Sequence, residues 1–105
     1  MKYTISRTEI ADACVRKIIL YISENFGKDV ALKMIEKLEA QIDLLENNPY
    51  LGIEPKDLIL KRQGYRVLTV SKNLIFYKID EYQKSIIIHA VLDQRQDYLN
   101  IIRGL

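Results

Sequence analysis

The chain has 105 residues, of which 49% are hydrophobic and 29% are charged, and a formal net charge of +2. This length suits one domain spanning 1–105, and the composition is that of a soluble globular protein. Cys14 is the only cysteine, which excludes an internal disulfide and a cysteine-based metal site. The first residues lack a signal-peptide pattern, and no apolar run is long enough to cross a membrane. We therefore expect a cytoplasmic protein with no membrane partner.

The charge is distributed unevenly between the two halves of the chain. Residues 1–55 carry seven Lys or Arg and nine Asp or Glu, whereas residues 56–105 carry nine and five. The second half is therefore basic, and a basic surface can attract phosphate groups. Lysines that only keep a small sheet soluble explain the same imbalance equally well, so charge alone does not assign a partner.

The first half of the chain predicts a short strand followed by two helices. Lys2 to Ile5 can form an edge strand, and Ser6-Arg7-Thr8-Glu9 fits a capping box in which Ser6 starts the first helix. Gly27 suits the left-handed residue that closes this helix, and Asp29 can cap the second one. The apolar stripes are Ile10, Ala13, Cys14, Ile18, Tyr21 and Ile22 in the first helix, and Ala31, Met34, Ile35, Leu38, Ile42 and Leu45 in the second.

The second half predicts a loop and then a sheet. Pro, Gly and Asn make 47–55 a loop, and 57–62 is expected to lead into the sheet in extended form. Three runs rich in β-formers follow at 65–70, 74–79 and 85–91, with spacers too short for parallel crossovers. The fold class is therefore α+β: a two-layer sandwich in which the N-terminal strand and the αα-hairpin pack on a three- to four-stranded antiparallel sheet. A final short helix or packed tail is expected after the last strand.

No motif of a known enzyme chemistry is present. The sequence has no glycine-rich phosphate loop, no HExxH and no nucleophile elbow, and it implies no cofactor and no metal. Cys14 lies on the apolar stripe of the first helix, which favours a core residue over a nucleophile.

His89 is the only histidine, and its role depends on the face of the sheet that it occupies. Side chains alternate along a strand, so if Ile86, Ile88 and Ala90 face the helices, His89 and Val91 face the other way. There His89 would be a structural side chain, a partner contact, or a proton donor and acceptor near neutral pH.

A set of basic and aromatic residues gives the strongest indication of a binding site. Arg66 opens the first strand of the meander, and Arg95 and Tyr98 follow the last one, so the three can converge on one face. Guanidinium groups there would hold phosphate, and a tyrosine could stack on a base or transfer a proton. Alternatively, Arg66 pairs with Asp93 or Asp97 and fixes the C-terminal segment. The basic residues expected to contact a nucleic acid or a protein target are Lys61, Arg62, Arg66, Lys72 and Arg95.

Several short motifs occur together, in an order that extends from about Lys2 to Ile102. They are Ser6 before the first helix, Tyr21-Ile22, Ala31, Leu45 with Asn48-Pro49 and Gly52, Tyr65-Arg66-Val67-Leu68, Ile75-Phe76-Tyr77-Lys78-Ile79-Asp80-Glu81, and Val91-Leu92 with Arg95-Gln96-Asp97-Tyr98. In this order and spacing the chain resembles the RelE/ParE family of bacterial type II toxins. The resemblance implies a small sheet with a helix hairpin packed against it, and a growth-inhibiting toxin of the kind linked to plasmid stabilization and neutralised by a cognate antitoxin.

The resemblance leaves two activities open. RelE-like members are metal-independent endoribonucleases that cut mRNA on the ribosome with basic residues and Arg, Tyr, Glu or His on the sheet face. In that case Arg66, Arg95, Tyr98 and His89 would be catalytic. ParE-like members inhibit DNA gyrase without that catalytic set.

Two departures from the RelE pattern favour the ParE-like alternative. Leu74 and Leu68 stand where RelE-like ribonucleases tend to have an arginine and a lysine, and cleavage without a metal needs groups that offset phosphate charge. The long hairpin and the Arg-Gln-Asp-Tyr ending are also closer to ParE. An interaction domain without toxicity is the third alternative.

Overall fold

The structure is a computed structural model that describes residues 2–105. Four strands and four helices follow one another along this part of the chain. Their bounds are β1 Thr4–Arg7, α1 Glu9–Phe26, α2 Lys28–Asp43 with a 3-10 turn at Leu44–Glu46, α3 Leu58–Arg62, β2 Tyr65–Val70, β3 Asn73–Asp80, β4 Ser85–Asp93 and α4 Tyr98–Arg103. None of the helices within 2–105 combines the length and the apolar character needed to cross a membrane.

The strands form one sheet in the order β1-β4-β3-β2. Strands β2, β3 and β4 make the predicted antiparallel meander, but β1 pairs with β4 in parallel. The sheet is therefore mixed, and the prediction of a purely antiparallel sheet is wrong at this edge. The reason is topological, because the whole α1–α2 hairpin and the meander lie between β1 and β4, and a connection of that length permits parallel pairing.

A β-bulge in β4 changes which side chains face the helices. Phe76 lies opposite Ala90 and Tyr77 opposite Ile88, so His89 is the extra residue. Thr8 holds this position, since its backbone N–H donates to the Ile88 carbonyl at 3.0 Å and its hydroxyl to the His89 carbonyl at 3.2 Å.

The bulge reverses the predicted alternation after Ile88. Ile86 and Ile88 pack against the hairpin as predicted, but so does Val91, whereas Ala90 belongs to a cluster on the opposite face. Placing Ala90 with the helices and Val91 away from them was therefore wrong. Strict alternation holds only where each residue has one partner, and the bulge inserts a residue that has none.

Two apolar clusters lie on the two faces of the sheet. The main cluster fills the space between the sheet and the α1–α2 hairpin. The second cluster lies on the opposite face, and the short helices α3 and α4 contribute Leu60 and Ile102 to it, both fully buried. The second cluster, as a set, is Leu60, Tyr65, Phe76, Ala90, Leu92 and Ile102. The hairpin is thus one layer of cover, and two short helices cover part of the other face.

Helix α1 begins at a different residue from the predicted one. Thr8, not Ser6, is the N-cap: its hydroxyl accepts the Ala11 N–H at 3.0 Å, while Ser6 belongs to β1. The inward stripe shifts accordingly, with Ala11 fully buried and Ile10 and Tyr21 exposed. Apolar residues occur on several faces of this helix, so periodicity alone did not identify the buried one.

Helix α2 buries Ala31, Leu38 and Ile42 of the predicted stripe, and Leu45 is buried in the 3-10 turn that follows it. It begins at Lys28 with Gly27 as its N-cap, so the cap predicted at Asp29 is wrong. Gly27 has a positive φ of 96°, as expected, but its ψ of 164° is extended.

The segment 57–62 is helical, and the extended form expected for it is wrong. Asp57 caps α3 by accepting the Leu60 N–H at 3.1 Å, which outweighs the β-forming side chains of such a short run. The helix expected after the last strand is present as α4.

Candidate functional site

Arg66 lies at the start of β2 and acts on the loop 47–55 rather than on an open surface. It is opposite Tyr77 and therefore on the hairpin face of the sheet. Its guanidinium donates to the Gly52 carbonyl at 2.5 Å and to the Tyr50 carbonyl at 3.4 Å, and it lies 4.9 Å from the centroid of the Tyr50 ring. These contacts use the charge of Arg66 to fix the loop, and Arg66 pairs with neither Asp93 nor Asp97.

Hydrogen bonds from the sheet attach the same loop. The Tyr77 side chain is fully buried, and its hydroxyl donates to the Pro49 carbonyl at 2.7 Å and accepts the Gly52 N–H at 2.9 Å. Ile53 exchanges two backbone hydrogen bonds of 2.9 Å with Val67 at the outer edge of β2. These hydrogen bonds attach the loop to the sheet. No sequence pattern indicates this role of Tyr77, because the loop and β3 are distant in the chain.

Glu81 joins the loop to the N-terminal strand and to the β3–β4 turn. Its carboxylate accepts hydrogen bonds from the hydroxyls of Tyr50 at 2.7 Å and Tyr3 at 2.9 Å, and from the Lys84 ammonium at 3.1 Å. The hydrogen bond from Tyr50 is the main cause that lowers the pKa of Glu81, and the same bond raises the pKa of Tyr50. This cluster is exposed, and its members orient one another.

Arg95 lies at the opposite end of the sheet from Arg66. It follows Asp93, which pairs with Asn73, whereas Arg66 pairs with Tyr77 further along β3. Its guanidinium donates to both carboxylate oxygens of Asp93 at 2.9 Å, which lowers the pKa of Asp93. The acidic partner expected for Arg66 therefore belongs to Arg95.

Tyr98 and His89 lie on the face opposite the hairpin. The Tyr98 ring is 5.8 Å from that of Phe76, and the His89 ring meets Tyr65 edge-on at 5.5 Å. The Lys78 ammonium lies 4.5 Å from the centroid of the same Tyr65 ring. Partial burial, followed by the charge of Lys78, lowers the pKa of His89. Both effects favour the neutral form of the imidazole, and His89 lies on the face where the alternation of β4 predicted it.

The predicted residues do not converge on one surface. Arg66 is on the hairpin face, Arg95 is at the far end of the sheet, and Tyr98 packs in the second cluster. Among the other basic residues, Lys61 pairs with Glu54 at 3.3 Å, while Lys72 lies in the exposed β2–β3 turn. Arg62 is exposed at the end of α3. A single phosphate-binding cluster is therefore not formed by this set.

The face opposite the hairpin is mainly apolar. Leu74 packs against the second cluster, and Leu68 is buried in the main one. Arg103 of α4 forms an ion pair with Asp57, the cap of α3, and so holds the two short helices together over this face. Of the charged side chains discussed above, only Lys78 lies over the aromatic part of this face.

The comparisons with known proteins agree with the fold. The model of the family described as the ParE toxin of the type II toxin-antitoxin system parDE matches residues 5–98. A search of the curated proteins found no significant match. Solved structures do match, at identities that support the fold alone.

Three of these structures are toxins or toxin-antitoxin complexes. The chromosomal ParDE system of Pseudomonas aeruginosa matches with a TM-score of 0.72 and 20% identity, covering 88% of this chain and 96% of that one. The RelBE2 toxin-antitoxin complex of Mycobacterium tuberculosis gives 0.61 and 17%, covering 89% and 99%. A mutant of the Escherichia coli toxin RelE in the free state gives 0.63 and 16%, covering 100% of both chains. Because the family model spans nearly the whole chain, this protein belongs to the ParE toxins of type II toxin-antitoxin systems.

Proposed function

We propose that this toxin inhibits growth by binding DNA gyrase, as ParE-like toxins do, and that a cognate antitoxin neutralises it by binding. The activity is non-enzymatic and needs no cofactor. The observation that carries this proposal is the character of the sheet face opposite the hairpin, where a RelE-like ribonuclease would hold its catalytic groups. That face is packed with apolar side chains and partly covered by α3 and α4.

Phosphodiester cleavage without a metal requires cations and proton-transfer groups placed around the scissile phosphate. Here the two arginines that resemble catalytic ones are engaged elsewhere, Arg66 with the loop carbonyls and Arg95 with Asp93. Leu74, which packs on the face opposite the hairpin, supplies no charge there, and Leu68 is buried on the hairpin face. The family model that matches the chain is also that of ParE, which favours the same conclusion.

The decisive experiment compares both activities in one preparation. Purified toxin at stoichiometric excess over gyrase should inhibit supercoiling of a relaxed plasmid, and induction in a bacterium should leave the ends of translated mRNAs unchanged. Normal supercoiling together with new cuts at codon positions would overturn the proposal.

Matched variants separate the two activities further. His89→Ala and Tyr98→Phe remove the two groups that a ribonuclease would use for proton transfer, while both leave the Arg66 loop contacts intact. We expect gyrase inhibition within about twofold of the unsubstituted toxin for both variants. Loss of toxicity in both, with a normal melting temperature, would instead support catalysis.

One feature favours the endoribonuclease as a second candidate. His89 and Lys78 both lie against the ring of Tyr65, so an imidazole and an ammonium group are near each other on the face that RelE-like enzymes use. A neutral imidazole can accept a proton from a ribose hydroxyl. If this candidate is correct, His89→Ala reduces cleavage by about 10²–10⁴-fold, the usual contribution of a general base.

A further inference from the structure

Three cations from different parts of the chain lie together where the β2–β3 turn meets the end of β4. Lys72 is in that turn, and its carbonyl accepts the Gln94 N–H at 2.8 Å, which holds Arg95 beside the turn. Lys37 reaches the same place from α2, because its ammonium donates to the Ser71 hydroxyl at 2.8 Å. Lys37, Lys72 and Arg95 together form the basic cluster.

The charges of the basic cluster are only partly neutralised. Lys37 and Lys72 are exposed and form no ion pair with any residue in 2–105. The residues three or four positions from Lys37 along α2 include no carboxylate. Asp93 binds Arg95, and its pKa is lowered first by Arg95 and to a smaller extent by Lys72. Three cations therefore share one carboxylate, and the cluster stays positively charged.

The lysines at the opposite end of the sheet are arranged differently. Around the β3–β4 turn and the start of β2, three of them have a carboxylate partner. The pairs are Lys2 with Glu46 at 3.8 Å, Lys61 with Glu54 at 3.3 Å, and Lys84 with Glu81 at 3.1 Å. Those lysines bind acidic residues of the same chain, whereas Lys37 and Lys72 leave their charges to the solvent or to a partner.

The chemistry of the basic cluster suits phosphate groups better than bases. The Arg95 side chain is 68% exposed, and it binds Asp93 through Nε and one terminal nitrogen, which leaves the other terminal nitrogen for a phosphate oxygen. Unpaired bases bind where aromatic rings are available for stacking. Neither the cluster nor the residues that hold it, Ser71, Asp93 and Gln94, contribute such a ring.

We propose that the basic cluster binds the phosphate backbone of duplex DNA. The role of this contact in toxicity rests on the proposed function, because gyrase acts on duplex DNA and a toxin bound to gyrase lies next to that polyanion. The cluster contacts the DNA that gyrase holds and adds affinity for the gyrase–DNA complex. Phosphate contacts of this kind carry no sequence preference.

The first experiment measures binding of the toxin alone to a short fluorescent DNA duplex by anisotropy. With three phosphate contacts, the affinity should fall about fortyfold between about 50 and 200 mM salt. In the double variant Lys37→Gln/Lys72→Gln one contact remains, so the fall should be only about three- to fourfold. The affinity of this variant at low salt should be at least tenfold weaker than that of the unsubstituted toxin.

The matched control is Lys2→Gln/Lys56→Gln, which removes the same charge from exposed positions outside the cluster. It should keep its affinity within about threefold and keep the steep salt dependence, because the three phosphate contacts remain. Both double variants should keep the melting temperature, since all four lysines are exposed. Equal weakening in the two variants would show that net charge binds the DNA, and the proposal would be wrong.

Two further results would also overturn the proposal. A single-stranded RNA of the same length could bind more tightly than the duplex, with the same dependence on Lys37 and Lys72, and the ligand would then be RNA. In a supercoiling assay, Lys37→Gln/Lys72→Gln should inhibit gyrase at least fivefold less potently than the control variant. Lost inhibition with unchanged DNA affinity would mean that the cluster contacts gyrase itself.

Failure of the proposed function would be recognised separately. Normal supercoiling in the presence of the unsubstituted toxin would refute gyrase inhibition, whereas the anisotropy measurement on the toxin alone would still decide whether the basic cluster binds duplex DNA.

Discussion

The two faces of the sheet are covered in different ways. This difference explains which part of the fold determines its global stability and which part can open locally. The hairpin face is covered by α1 and α2, of 18 and 16 residues, over a continuous apolar cluster. The opposite face is covered by α3 and α4, of five and six residues. Helices this short are not stable by themselves, so their position depends on the second cluster and on the Arg103–Asp57 ion pair. The first face therefore determines global stability, and the second can open locally.

We expect the largest loss of stability from a substitution that leaves a cavity on the hairpin face. Leu38 is 1% exposed at the centre of the main cluster, and Leu38→Ala should lower the free energy of unfolding by about 2–5 kcal/mol. Ile102→Ala, in the second cluster, should cost less globally, because α4 can detach without unfolding the sheet. Urea denaturation measures the first effect, and hydrogen exchange at 98–103 the second. Equal global losses would contradict the contrast between the faces.

The next effect concerns the loop that Arg66 and Tyr77 hold on the hairpin face. A Cβ at Gly52 would lie 2.7 Å from both the Tyr77 hydroxyl and the Val67 carbonyl, so Gly52→Ala should destabilise the fold by about 1–3 kcal/mol through overpacking. Gly64→Ala is the control, because no atom lies within 4 Å of its Cβ and only its positive φ is strained. Thermal denaturation of both variants gives the comparison, and a smaller loss for Gly52→Ala would contradict the packing of this loop.

A smaller effect is expected when the two short helices lose their ion pair. Arg103→Ala removes the side chain that binds Asp57, and an ion pair between partly exposed groups contributes little to global stability. Exchange protection in α3 and α4 should fall while protection in β3 and β4 stays the same. Arg62→Ala, at an exposed position in α3 without an ion pair in 2–105, is the matched control. Loss of protection throughout the sheet would show that the second face is not an independent unit.

The smallest effect is a pH dependence from His89. Partial burial and Lys78 place its folded pKa below the ordinary value of 6.5, so the unfolded chain binds the proton more readily. This contribution to stability is fully present above about pH 6.5 and is lost as the pH falls through the folded pKa. His89→Gln should flatten the stability curve between pH 7 and 5. The carboxylates with a lowered pKa, including Asp93 and Glu81, change the stability only below about pH 4, so they do not mask the effect of His89.

The residues of the candidate site can be predicted from the sequence, but their arrangement in space cannot. Arg66, Arg95 and Tyr98 were each predicted within or just after the correct strand, yet Arg66 faces the hairpin and Arg95 ends at the far side of the sheet. Side chains alternate between the two faces along β2, so Arg66 can be assigned to a face only when its pairing with Tyr77 is known. That register depends on residues that are close in space but not in the chain.

Helix α2 and the antiparallel meander are predictable from the amino-acid sequence alone. The 3.6-residue period of 31–45 determined the buried stripe of α2, and the short polar spacers between β-rich runs determined the meander, because both depend on neighbours within a few residues. The tertiary structure sets the parallel pairing of β1, the bulge at His89 and the partners of Arg66. It also decided the cover that α3 and α4 give to the second face. Each of these depends on contacts between segments distant in sequence, where packing and hydrogen bonding outweigh local preference.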